Sequence, residues 1–122
     1  MARKNALRLR ANELFASAAL QTLFSERVEH DKIYCFQQIA WEIDKATSGG
    51  NTRCRLYIDG HGYKHDIEEQ DAPAADTLYT YDTPVWLIPG ERLALDIDQA
   101  QASTTAEMHL TGYWTEMKEG IV

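Results

Sequence analysis

Long apolar runs are missing from this 122-residue chain. No stretch approaches the about 18 consecutive apolar residues of a membrane-spanning helix, so a membrane is not an expected partner. Cysteine is scarce: Cys35 and Cys54 are the only two, and they lack C-x-x-C spacing. They make a poor zinc set and read as two buried, reduced thiols, with a bridge between neighbouring strands as the alternative that spacing leaves open. Basic residues are outnumbered, 12 Lys and Arg against 19 Asp and Glu, for a net charge of −7. An acidic body offers phosphates no basic face, which argues against nucleic acid as the main partner.

What is present is ordinary for one globular domain: 44% hydrophobic and 25% charged residues, in a chain long enough to build a core without staples. The charge is unevenly spread. Arg3, Lys4, Arg8 and Arg10 give residues 1–12 a charge of +4 and leave −11 on the rest. Asn12, Glu13 and Gln21 interrupt any apolar segment there, so a secretory signal is not expected. Residues 1–27 therefore read as a basic arm, partly helical or extended, and residues 28–122 as the folded body. Leu7, Leu14, Phe15 and Ala18 give the arm a weak helical face, while Leu7-Arg8-Leu9-Arg10 alternates like an extended segment.

From Lys32 onward strand signals dominate. In "KIYCFQQIAWEID" Ile33, Cys35, Gln37, Ile39, Trp41 and Ile43 would share one face, and Tyr34, Phe36, Gln38 and Ala40 the other. "TRCRLYID" alternates with Cys54, Leu56 and Ile58 inward. "DGHG" is a hairpin signal. "YKHDIEEQ", "TLYTYD" and "TAEMHLTGYWTEM" read as further strands. In "PVWLIPGERLALDI" two apolar runs flank Pro89-Gly90, which suits the centre of a type II turn and marks a structural corner. Short strands at regular spacing predict an all-β protein: a β-sandwich or jelly-roll-like body of seven or eight strands behind an N-terminal arm or helix.

No motif names a reaction. Asp59, His61 and His65 in "DGHGYKHD" have metal-ligating chemistry, but the glycines imply a turn that scrambles their alternation. The His-x-x-x-His spacing does not match the HxH of cupins. Ser17, Ser25, Ser48 and Ser103 lie in no nucleophile-elbow context. "SGGN" lacks the phosphate-loop lysine, and the carboxylate pairs read as solvated faces. No enzyme activity, metal or cofactor is expected; a small metal-dependent enzyme is the remote alternative. Tyr57, Tyr79, Tyr81, Trp86 and Tyr113 are candidates for a subunit interface, or for a glycan-binding face of rings.

A basic arm ahead of a compact acidic β-body resembles the small virion accessory proteins of tailed bacteriophages, over Val28 to Glu116. The landmarks are "RVEHDKIYCFQQIAWEI", "DAPAADTLYTYDTPVWLIPGERLALDI" and "LTGYWTEM". The resemblance implies a capsid decoration (cement) protein on the capsid exterior of a virion, made in the host cytoplasm. Its partners would be the major capsid protein and copies of itself, most simply as a trimer. Arg3, Lys4, Arg8 and Arg10 would then contact acidic neighbours, while Leu7, Leu9, Leu14 and Phe15 bury in their grooves. A carbohydrate-binding component of a tail, collar or fibre shares this body plan.

Overall fold

The computed structural model describes residues 3–15, 20–45, 52–99 and 103–117. Among them are nine strands and no helix: β1 (Asn5–Phe15), β2 (Gln21–Phe24), β3 (Lys32–Ile43), β4 (Arg53–Gly60), β5 (Tyr63–Asp71), β6 (Tyr79–Tyr81), β7 (Val85–Leu87), β8 (Arg92–Asp98) and β9 (Thr104–Glu116). They form two antiparallel sheets. The larger has the order β1-β9-β3-β6, with β7 also on β3, and the smaller has β2-β8-β4-β5.

This is a jelly-roll sandwich whose sixth strand position is split. β6 pairs with Ile39–Trp41 and β7 with Tyr34–Phe36 of the same strand, so they are two pieces of one edge. Pro84 falls just before β7, where a residue without an N–H cannot continue the ladder. Gln38 Nε2 spans the break, donating to Asp82 Oδ1 at 3.0 Å.

The N-terminal segment departs from the expected arm. Its residues 5–15 are a strand hydrogen-bonded to β9 over eleven paired positions, from Asn5–Trp114 to Phe15–Thr104. The helical reading is therefore corrected: local propensity was weak, and a long partner strand decides the matter. Ala18 and the "SGGN" loop lie outside the described residues. β2 joins the smaller sheet through β8, Gln21 opposite Ile97.

The core lies between the sheets. Phe36, Ile39, Ile43, Leu87, Leu93, Leu95, Ile97 and Met108 are fully enclosed, together with Phe15 and Leu56. β4 and β8 alternate as their sequence dictates, with Cys54, Leu56 and Ile58 facing Leu93, Leu95 and Ile97 across the register. β3 does not keep one phase. Tyr34 and Phe36 face the core in its first half, Ile39, Trp41 and Ile43 in its second. A bulge between Phe36 and Gln38 accommodates the extra residue Gln37 and turns the side-chain alternation over. Cys35 thus faces outward, not inward as an unbroken alternation would place it. Both cysteines are buried and free.

The Pro89-Gly90 corner has the geometry its residues require. The Glu91 N–H donates to the Ile88 carbonyl at 3.1 Å, and Gly90 takes a φ of 87°. Gly90 N–H and Val28 N–H bind the carbonyls of Val28 and Glu91, docking the turn on the chain that leads into β3. Beneath it the carboxylate of Glu91 accepts the Ile88 N–H at 2.8 Å and the hydroxyl of Tyr63.

Candidate functional site

The two outer faces of the sandwich differ in chemistry. On the smaller sheet, Arg53 pairs with Glu69 and Asp71 at 2.8 and 3.2 Å, and Arg92 pairs with Asp59 at 2.8 Å. Arg27 also reaches Asp59, at 3.5 Å. The hydroxyl of Tyr57 donates to Asp96 Oδ1 at 2.8 Å, under the ammonium of Lys64. Burial, reinforced by Asp96, raises the Tyr57 phenol well above its ordinary value. Polar groups here are largely matched to one another, as on a solvated face.

The larger sheet presents the opposite picture at its β7 end. Trp86 is 54% exposed and Ile88 52% exposed. The Trp86 ring meets Tyr113 edge-on, with centroids 5.7 Å apart, and Lys4 Nζ lies 4.7 Å over the Tyr113 ring. Cys35 is the cross-strand partner of both Trp86 and Tyr113, which explains its burial on an outward face. A cleft of about 270 Å³ opens at this edge between the sheets, lined by Ile58, His65, Asp66, Ile67, Tyr81, Pro84, Val85 and Trp86.

Only part of the expected aromatic set assembles. Trp86 and Tyr113 come together, but Tyr57 is buried on the opposite sheet. Tyr79 and Tyr81 pair with Trp41 and Ile39 and pack inward, Tyr79 stacked on Trp41 at 4.6 Å. Of the five candidates, Tyr57, Tyr79 and Tyr81 are thus not on the outer face of the larger sheet: the register of β6 packs both of its tyrosines, partly buried, against the core. Ile88, next to the turn, is exposed beside Trp86, so the apolar run before Pro89 keeps both of these side chains outside the core.

The arm residues are similarly redistributed. Leu7 and Phe15 lie in this chain's own core, and Leu9 packs against it, so none of the three is free to fill a neighbour's groove. Leu14 is exposed, as are Arg3, Lys4, Arg8 and Arg10. Arg10 Nη2 binds Glu107 Oε1 at 2.7 Å, and this bond holds the Glu107 carboxyl below its ordinary range.

Asp59, His61 and His65 do not converge. His61 is in the two-residue β4–β5 turn, and Asp59 and His65 occupy adjacent register positions, opposite Lys64 and Ile58, hence opposite faces. Asp59 already serves two arginines. A different group does come together: Glu42, Glu107 and His109 each offer a ligand atom within 4.8 Å of the others.

No family model and no curated protein matches the chain. Solved structures do. The crystal structure of murine APRIL at pH 8.0 superposes with a TM-score of 0.54 and 11% identity, over 88% of this chain and 100% of that one. The infectious bursal disease virus Gx strain structure gives 0.42 and 12%, over 98% of this chain and 37% of that chain. A family 29 carbohydrate binding module gives 0.42 and 8%, over 95% and 78%. At these identities the likeness to murine APRIL establishes the fold, an all-β jelly-roll sandwich, and nothing more.

Proposed function

We propose that this chain is a structural protein of a bacteriophage virion, a capsid decoration protein that attaches through the outer face of its larger sheet. The observation that carries the attachment surface is the exposed Trp86, braced edge-on by Tyr113 and flanked by exposed Ile88, on a sandwich whose other face is laced with ion pairs. Rigid aromatics beside an aliphatic residue contribute large contact area at little entropic cost, and Trp and Tyr are enriched among residues that dominate interfaces. The virion assignment is supported by the strand-and-turn resemblance over Val28 to Glu116. Insertion of Leu7, Leu9 and Phe15 into a neighbour's groove is not part of this reading, because these side chains pack in the chain's own core. Exposed Lys4 and Arg8 remain on that sheet to meet acidic neighbours, including the acidic body of another copy, whereas Arg10 is engaged by Glu107.

Quantitative mass spectrometry of purified particles tests the reading. Hundreds of copies per particle support the capsid position, and absence from particles overturns it. A second reading shares Trp86: its ring lines the edge cleft beside partly buried Tyr81, His65 and Asp66, an aromatic and polar lining open to a sugar. A dozen or fewer copies per particle, with glycan binding lost in Trp86→Ala, would favour a tail or fibre module.

A further inference from the structure

Glu42 on β3 and Glu107 on β9 are direct cross-strand partners, and His109 lies two residues further along β9, on the same outer face. His109 Nε2 stands 3.5 Å from Glu107 Oε2. Like charges placed directly opposite one another on an antiparallel pair repel. Arg10, opposite His109 on β1, relieves one of them by binding Glu107 Oε1 at 2.7 Å. Among the described residues no cation pairs with Glu42.

We propose that Glu42, Glu107 and His109 form a binding site for one divalent transition-metal ion of the zinc class. One imidazole nitrogen with two carboxylates is a borderline donor set, suited to zinc, cobalt, nickel or copper better than to calcium or magnesium, which take oxygen alone. The geometry is close to that required. Tetrahedral zinc with bonds of 2.0–2.2 Å needs ligand atoms about 3.4 Å apart, and the three donors already lie within 4.8 Å of one another. All three side chains are partly exposed, so rotamer changes that draw the donors together are open to them. Arg10 occupies Oε1 of Glu107 and leaves Oε2, the oxygen beside His109, for the metal. The guanidinium thereby orients a ligand from outside the coordination sphere, as outer-shell partners do, while its own charge limits affinity. A cavity of about 230 Å³ adjoins the pair, lined in part by Glu42, Glu107, Asp44 and Asp76, so space and negative potential are present for an incoming cation. The fourth position is left to water or to a donor from a docked neighbour. The three ligands come from one chain, and the site lies on the same outer face as the attachment surface proposed above, toward the opposite end of β3 and β9 from the Trp86–Tyr113 pair.

Isothermal titration of the full chain with zinc chloride, paired with the visible absorption of its cobalt complex, tests the site. The expected result is one equivalent bound, with His109→Ala and Glu42→Gln each weakening affinity by about tenfold or more. His61→Ala and His65→Ala are expected to bind as the parent does, and unchanged thermal unfolding of His109→Ala and Glu42→Gln confirms that they are folded. No stoichiometric binding to the parent, or binding that survives His109→Ala, overturns the proposal. So does binding lost in His65→Ala.

Discussion

Gly112 of β9 faces the backbone of Cys35 so closely that a Cβ on it would collide with the Cys35 carbonyl oxygen and stand 3.0 Å from the Gln37 nitrogen. The bulge on β3 and the glycine on β9 are one device: the extra residue needs a partner without a side chain at the point where the chain bends. Gly112→Ala is expected to destabilise the fold by about 1–3 kcal/mol, the usual cost of forcing atoms into a packed site. Denaturant unfolding checks this, and an unchanged midpoint would contradict the close approach.

At the corner, Gly90→Val is expected to lower stability by about 1–2 kcal/mol, because a β-branched residue must take a positive φ. The added Cβ would also sit 2.9 Å from His61 Cδ2. Calorimetric melting of the variant beside the parent provides the comparison.

Trp86→Ala separates surface from scaffold. The ring is largely outside the core, so unfolding is expected to shift little, while attachment to particles or to further copies is lost. Light scattering and particle co-sedimentation report this. The same variant is expected to uncover Cys35, which is buried in the parent, and to make its thiol reactive toward dithionitrobenzoate. Cys54, sealed between the sheets, stays protected, and mass spectrometry of the labelled peptides distinguishes the two.

Alkaline conditions probe the core directly. Burial pushes the Cys54 thiol from 9.0 up to about 12. The raised value means the folded state retains a proton that the unfolded chain releases. This stability is fully present below about pH 9 and is lost as pH rises toward 12. Tyr57, raised by burial and by Asp96, adds a similar loss beginning near its ordinary value of 10.0. Melting temperature against pH is expected to fall steeply above 9, less so in Cys54→Ala. A parallel fall in both proteins would assign the effect elsewhere.

How much of this was written in the chain depends on where each decision is made. β4 and β8 were legible because Cys54-Leu56-Ile58 and Leu93-Leu95-Ile97 alternate without interruption, and the Pro89-Gly90 corner was legible because its two residues dictate their own dihedrals. The phase reversal in β3 was not, since Gln37 looks like any polar strand residue and the reason for its bulge sits at Gly112. Leu7-Arg8-Leu9-Arg10 fits either an arm or a strand until β9 is beside it. The donor set was hidden for the same reason. Glu42 and Glu107 are far apart in sequence and meet only through the β3–β9 register, whereas of the nearby His61 and His65 the first lies in the turn and the second on the strand after it.

That β9 is shared between β1 and β3 also has a temporal meaning. Asn5 must find Trp114, and Lys32 must find Glu116. The β1–β9 and β3–β9 ladders cannot form during synthesis until β9 has emerged from the ribosome. Until then β1 and β3 expose facing edges, each a template for another chain. Closure of the larger sheet therefore waits on β9, and a nascent chain stalled before residue 104 leaves both of these edges open to pairing with its neighbours.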